Sequence, residues 1–184
     1  MRKGMVVRKT KETDIKVEIN LDVRGENKIN TGIGFFDHML NSFAFWAGTT
    51  LNVECKGDLW IDGHHTIEDV GICIGQALNK ALGDKKGIAR FGSARVPMDE
   101  CLATVDIDIS NRPYLVFNAD VKDELVQEFF QAFAFNAGIT LHINLLYGKN
   151  EHHKCELIYK TFGMALRQAI QVIGNEVQST KGAL

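Results

Sequence analysis

An α+β fold built from a duplicated half-domain is predicted for this 184-residue chain. Each half is expected to carry a small mixed, antiparallel-rich sheet with two helices on one face. The helices of both halves then pack between the two sheets, which buries both apolar faces at once. Three observations predict this: an internal repeat, a strand-like alternation in each half, and two helix-like apolar spacings in each half.

The repeat is read directly. The segment AFWAGTTLNV at 44–53 returns as AFNAGITLHI at 134–143, with six of ten positions identical. His64-His65-x-x-Glu68 returns 88 residues later as His152-His153-x-x-Glu156. Glu12 and the strand after it align with Glu100 and its strand at the same spacing of 88. Three matches in one order imply a single domain over 1–184 made of two halves, about 1–86 and 87–184.

Each element follows in order. Ile15, Val17, Ile19 and Leu21 alternate with Lys16, Glu18, Asn20 and Asp22, the pattern of a half-buried strand. Ala103, Val105, Ile107 and Ile109 repeat it. A helix is then expected around Phe36, Met39, Leu40 and Phe43, matched by Leu125, Phe129, Ala132 and Phe133. Gly48 and Gly138 stand where a helix ends on a left-handed residue. Strands follow near Leu51 and Leu141. A second helix closes each half, through Ile67, Val70, Ile74 and Leu78 and through Leu157, Ala165, Leu166 and Ala169.

Composition narrows the function classes. A hydrophobic share of 45% supports a real core, and a net charge of -2 with dispersed cations argues against a nucleic-acid partner. Four cysteines lack any C-x-x-C pair, which points to a reduced, cytoplasmic protein. No apolar run long enough for a membrane span or a signal core occurs, so no membrane partner is expected.

The histidines carry the chemistry. All six, His38, His64, His65, His142, His152 and His153, fall in or near the repeated segments. On a helix, His64 and Glu68 are one turn apart, while adjacent histidines diverge by about 100°. Each pair therefore points at two different ions, with the glutamate between them. His142 lies in a strand with parity opposite to Leu141, Ile143 and Leu145, so it faces away from the core. His38 follows Asp37 near a helix start, and Asp37 or Asp69 is expected to orient a ligand imidazole through its second nitrogen. With Glu68 and Glu156 the set offers eight ligands, or three imidazoles and one carboxylate for each of two ions. Such a nitrogen–oxygen set suits a divalent cation such as manganese, with zinc and nickel as competitors on affinity. A lone His-His pair is ordinarily surface noise; two copies in register are not.

Phosphate-binding candidates are Arg90, Arg112, Lys160 one turn beyond Glu156, and Ser179 and Lys181 near the C-terminus. Arginine grips phosphate with a bidentate fork and lysine with a point charge.

The chain resembles the imidazoleglycerol-phosphate dehydratase family over nearly its whole length. The resemblance is carried by RKTKET at 8–13, GFFDHML at 34–40, DGHHTIEDV at 62–70, GIARFG at 87–92, PMDE at 97–100, Arg112-Pro113, the second HHxxE and STKG at 179–182. It implies a duplicated fold like the second domain of ribosomal protein S5. It implies two manganese ions per site, held by the eight ligands from more than one subunit, and a 24-subunit shell. It implies dehydration of imidazoleglycerol phosphate in histidine biosynthesis. Glu12, Arg90, Arg112, Lys160, Ser179 and Lys181 match the family's substrate contacts, and His38, His65, Asp69 and His153 are expected to join them. Asn41 and Ser42 replace the family's usual Asp-Gln, where the glutamine helps hold phosphate, and Asn111 replaces the commoner glycine.

The chemistry explains such a site. Hydroxide leaves the carbon beside the imidazole and hydrogen leaves its non-acidic neighbour, so the ring must take up the electrons. Two metals on its nitrogens would stabilise an imidazolate that expels hydroxide to a diazafulvene-type species. Loss of the adjacent proton then gives an enol and the ketone. Glu12 is the candidate acid/base, with Glu68 and Glu156 as the catalytic carboxylates at the metals. The rival readings are a dinuclear metal phosphatase and a non-catalytic RNA-binding module.

Overall fold

The structure is a computed structural model describing residues 1–184. The first half folds as strands β1 (Lys3–Lys9), β2 (Thr13–Asn20), β3 (Lys28–Asn30) and β4 (Thr50–Gly57) with helices α1 (Gly34–Ala47) and α2 (His64–Leu82). The second half repeats it as β5 (Phe91–Met98), β6 (Cys101–Asp108), β7 (Tyr114–Asn118) and β8 (Thr140–Tyr147), with α3 (Leu125–Ala137) and α4 (Glu151–Ala169). Each half forms one four-stranded sheet, in the orders β1-β2-β4-β3 and β5-β6-β8-β7. The first three strands of each sheet are antiparallel, and β3 and β7 join parallel to β4 and β8.

Alternation produces these sheets as expected. Ile15, Val17 and Ile19 of β2 are buried while Asp14, Lys16 and Glu18 of the same strand point outward. Strands β1, β3, β5 and β7 were not evident from alternation. β3 has only three residues, and β5 mixes Ala94 and Val96 with Gly92 and Pro97.

Helices lie between the sheets. α2 covers β1 and β2 and crosses to α3, while α4 covers β5 and β6 and crosses to α1. Each half therefore buries its helices against the other half's helices. The close approach of helix to sheet depends on Gly4 and Gly92. A Cβ on Gly4 would stand 1.9 Å from the Ala77 carbonyl oxygen, and one on Gly92 2.0 Å from that of Ala165. Where α1 and α4 meet α3, aromatic rings fill the middle: Phe43 stacks on Phe162 at 4.9 Å and Phe130 meets Tyr159 at 4.9 Å. Gly48 (φ 70°) and Gly138 (φ 69°) end α1 and α3 in the left-handed region.

All four cysteines are free and buried, and burial pushes the Cys55, Cys73 and Cys155 thiols up to about 11. No helix is long and apolar enough to cross a membrane.

Candidate metal centre

The crossing of α1 on α4 brings the first turns of both helices together. His38 in α1 faces His152 and Glu156 in α4, and their ligand atoms all lie within 4.8 Å of one another. His152 Nε2 stands 3.0 Å and His38 Nε2 3.4 Å from Glu156 Oε2. The two rings are 5.6 Å apart. Lys160, one turn on, binds the other Glu156 oxygen at 2.8 Å. Burial works against the Glu156 charge, yet Lys160 and the two imidazoles outweigh it and hold its pKa below the ordinary carboxylate value. This is three of the eight expected ligands, two imidazoles and one carboxylate around a space of ionic size. The donor set fits a divalent cation.

The first HHxxE sits at the start of α2. His64 Nε2 is 3.6 Å from Glu68, the expected one-turn pair. The rings of each adjacent pair stand nearly perpendicular, His64 and His65 at 89° and His152 and His153 at 87°.

Two carboxylates orient the second histidine of each pair. Asp58, 3% exposed in the loop after β4, takes His65 Nδ1 at 2.9 Å. Glu100, in the β5–β6 hairpin, takes His153 Nδ1 at 2.9 Å. An ionised carboxylate only accepts, so Nδ1 carries the proton and Nε2 is presented as the ligand atom. The hydrogen bond from each ring raises the His65 and His153 pKa values from the ordinary one. Glu100 is itself anchored by the backbone N–H groups of Asn150 at 2.8 Å and Lys149 at 3.2 Å. Those bonds, with His153, hold its carboxyl well below the usual range. The sequence contained one half of this. The repeat aligned Glu100 with Glu12, but Asp58 has no local spacing that marks it.

Two expectations about orientation are corrected. Asp69 does not orient an imidazole of this chain. It is 6% exposed, and its Oδ2 accepts from Arg8 and from Thr13 Oγ1, tying α2 to β1 and β2. Asp37 accepts from the N–H and hydroxyl of Thr31 at 2.9 and 2.6 Å, which fixes the entry to α1. Glu12 lies 3.7 Å from His65 Nε2, on the ligand side of the ring. His142 stands on the outer face of its sheet, paired across to Asp106 and Val116, away from the other imidazoles of the chain.

Of the phosphate candidates, Lys160 stands at Glu156, while Arg90, Arg112, Ser179 and Lys181 lie elsewhere. Arg90 donates twice to Asp108, at 2.7 and 3.1 Å, and Arg112 reaches the same carboxylate at 3.4 Å. Arg90 also holds the Gln178 carbonyl at 2.7 Å, which places Ser179 and Lys181 alongside. Arg90 has φ 70°, a left-handed conformation unusual for arginine. Asn111 has φ 56°, the reason glycine suits that position, and its side-chain oxygen accepts from buried Lys85. Ser42 is buried within α1, and Asn41 bonds Asn27 at 2.9 Å.

The Arg90 N–H bonds the Ala169 carbonyl, at the far end of α4 from Glu156. Thirteen helical residues separate Glu156 from Ala169, about 20 Å at the usual rise. Within one chain His38, His152 and Glu156 therefore lie at the opposite end of α4 from Arg90, whereas His142 lies on the arginine side, opposite Asp106 and two residues along β6 from the Asp108 that takes both arginines.

Comparison with known proteins closes the question of kinship. The sequence profile of the family Imidazoleglycerol-phosphate dehydratase matches residues 31–166. A protein of that name from Clostridioides difficile (strain 630) is 51% identical over 192 aligned positions, covering 100% of both chains. One from Acetivibrio thermocellus is 55% identical, covering 100% of this chain and 99% of its own. The crystal structure of the Staphylococcus aureus imidazoleglycerol-phosphate dehydratase superposes with a TM-score of 0.84 at 43% identity, covering 92% of this chain and 99% of that one. A Pyrococcus furiosus structure gives 0.83 at 40% identity, covering 97% and 100%. With matches at this identity along its whole length, and the same fold in two solved relatives, the chain belongs to the imidazoleglycerol-phosphate dehydratase family.

Proposed function

We propose that this chain is a hydro-lyase that converts D-erythro-imidazole-glycerol phosphate to imidazole-acetol phosphate and water, in cytoplasmic histidine biosynthesis. The observation that carries the reading is the convergence of His38, His152 and Glu156 from two helices, beside a duplicated and separately oriented imidazole set. Two manganese ions, held by His38, His64, His65, Glu68, His142, His152, His153 and Glu156, would supply Lewis-acid stabilisation of charge on the substrate ring.

The chain's own groups supply the rest. Asp58 and Glu100 hold His65 and His153 in the tautomer that presents Nε2. Lys160 keeps Glu156 ionised and stands beside it as a fixed positive charge. Glu12, on the ligand side of His65, moves the proton at the diol carbons. Arg90, Arg112, Ser179 and Lys181 grip the phosphate and fix the substrate's orientation.

These groups meet only between chains. The substrate spans about 10 Å or less from ring to phosphate, by ordinary bond lengths, against the roughly 20 Å between Glu156 and Arg90 along α4. A site that binds both ends takes the His38–His152–Glu156 cluster and the arginines from different subunits. The half-exposed side chains of His38 and His152 support this, as does the exposed run Leu59, Trp60 and Ile61 beside the first HHxxE. A closed 24-subunit shell satisfies it at every copy.

Complementation tests the reading. Glu156→Ala and Arg112→Ala are purified separately and mixed through reversible dissociation. At low substrate, recovered dehydration and ketone formation in the mixture support sites shared between chains. A mixture no more active than its components contradicts them. Metal analysis of the purified protein, with turnover before and after chelation, tests the dimanganese assignment. Release of inorganic phosphate without ketone would favour a phosphatase instead.

A further inference from the structure

The repeat that duplicates the imidazoles also duplicates two arginines. Arg2 and Arg24 precede Arg90 and Arg112 by 88 residues each. Their places match: Arg2 stands just before β1 as Arg90 stands before β5, and Arg24 follows β2 as Arg112 follows β6. Their bonding is alike in kind, although the carboxylates are not equivalent in the repeat: Asp22 aligns with Ser110 and Asp108 with Asn20. Arg2 donates twice to Asp22, at 2.9 and 2.7 Å, and once to the Ile170 carbonyl at 2.6 Å. Arg90 donates twice to Asp108 and once to the Gln178 carbonyl.

The two halves place a third cation differently: in the second half it is buried Lys85, already bonded to Asn111 beside Gly138. Arg167, in the last turn of α4, has its guanidinium against Gly48 at the end of α1. The repeat puts the uncharged Asn79 in its stead in the second half. Arg24 has its guanidinium carbon 3.9 Å from the centre of the Phe45 ring, a cation–π contact. Arg2, Arg24 and Arg167 line a cavity of about 420 Å³ together with Gln168, Gln171 and the end of α1, and no carboxylate is among its lining residues. Asp22 answers one of three cations, and Arg2 occupies it.

We propose that this cavity is a second phosphate-binding site, gripping the phosphate group of a small ester or free inorganic phosphate. Its volume is that of a small-molecule site. Three guanidiniums offer forked donors matched to phosphate oxygens. The competing physical role is neutralising the carbonyl ends of α1 and α4. Arg2 does this for α4 through Ile170 and Arg167 stands at the end of α1 beside Gly48, while Arg24 touches neither end. The inference rests in part on reading Arg90 and Arg112 as the phosphate grip of the main site.

The test is equilibrium dialysis of the assembled, metal-loaded enzyme with radiolabelled inorganic phosphate. Compared with the unaltered protein, Arg24→Gln/Arg167→Gln is expected to bind one phosphate fewer per chain, and adding Arg112→Gln removes one more. If Arg112→Gln alone loses nothing while the Arg24/Arg167 pair loses one, the second site stands and the reading of Arg112 falls. An unchanged number bound in Arg24→Gln/Arg167→Gln overturns the proposal. A lower melting temperature with that unchanged number assigns the two arginines to the helix ends, which also overturns it. Unlabelled glycerol phosphate identifies the source: displacement at concentrations below those of inorganic phosphate points to an ester, and above them to the free ion.

Discussion

Replacing Asp58 should weaken metal binding while leaving every metal ligand in place. Its Oδ2 is the partner of His65 Nδ1 at 2.9 Å, from a side chain 3% exposed. Without it, nothing selects the tautomer that presents Nε2, and the ring loses an anchor on its buried side. Loss of such a supporting partner costs about 10- to 100-fold in metal affinity. Asp58→Ala removes both charge and acceptor and is expected near the upper end. Asp58→Asn keeps an amide oxygen within reach of Nδ1 and is expected near the lower end. The assay is titration of chelator-treated protein with manganese against a competing metal dye. As a second readout, solid-state NMR of histidine labelled with 15N should show His65 protonated on Nδ1 in the unaltered protein and shared between nitrogens in Asp58→Ala. The reasoning fails if Asp58→Ala binds manganese like the unaltered protein, or if its His65 tautomer does not change. Glu100→Ala is a useful contrast. Its carboxylate also accepts from two backbone N–H groups at the entry to α4, so it should lose thermal stability along with metal affinity.

Arg112→Ala should raise the Michaelis constant for the phosphorylated substrate at least tenfold; an unchanged constant would remove it from the phosphate grip. Gly92→Ala should cost about 3 kcal/mol, since the added methyl meets the Ala165 backbone oxygen and neither strand nor helix can turn aside; a melting temperature within 1–2 °C, about the effect of 0.5 kcal/mol, would show slack there. Asp22 should contribute to acid resistance. Arg2 holds its pKa below the ordinary value, so its stabilising effect is complete above the unfolded value and is lost as pH falls through the folded one. The melting-temperature gap between the unaltered protein and Asp22→Asn should therefore be present at pH 6 and close below about pH 4; a gap independent of pH would contradict the ion pair.

What the sequence revealed followed from periodicity and repetition. β2, β6 and the four helices show in apolar spacing because each buries one face. The inserted parallel strands β3 and β7 do not, because their placement is decided by pairing with β4 and β8 rather than by alternation. The candidate ligands of HHxxE could be read for the same reason as the helices: helix geometry alone places their side chains. Supporting residues were not. Asp69 looked like an imidazole partner from its position beside Glu68, yet helix rotation turns it inward to Arg8. Asp58 came from a loop whose direction only the tertiary fold sets.

The duplication also explains why the two halves of a symmetric ligand set need not behave alike. Glu12 and Glu100 occupy the same place in the repeat, but only Glu100 holds its histidine by Nδ1. In the first half Asp58 has taken that task, and Glu12 instead stands on the Nε2 side of His65. One half keeps its hairpin carboxylate as a brace; the other has released the equivalent carboxylate toward the space where a ligand must sit. A group that must exchange protons cannot also be locked by an imidazole and two backbone amides, as Glu100 is. With the bracing carried by Asp58, Glu12 is left free for the acid/base role proposed for it. It follows that neutralising Glu12 should silence turnover before it disturbs the metals. In Glu12→Gln, metal content should stay at the unaltered level while turnover falls by 100-fold or more, the scale of a lost general acid or base. Near-normal turnover with full metal would place the proton transfers on another group.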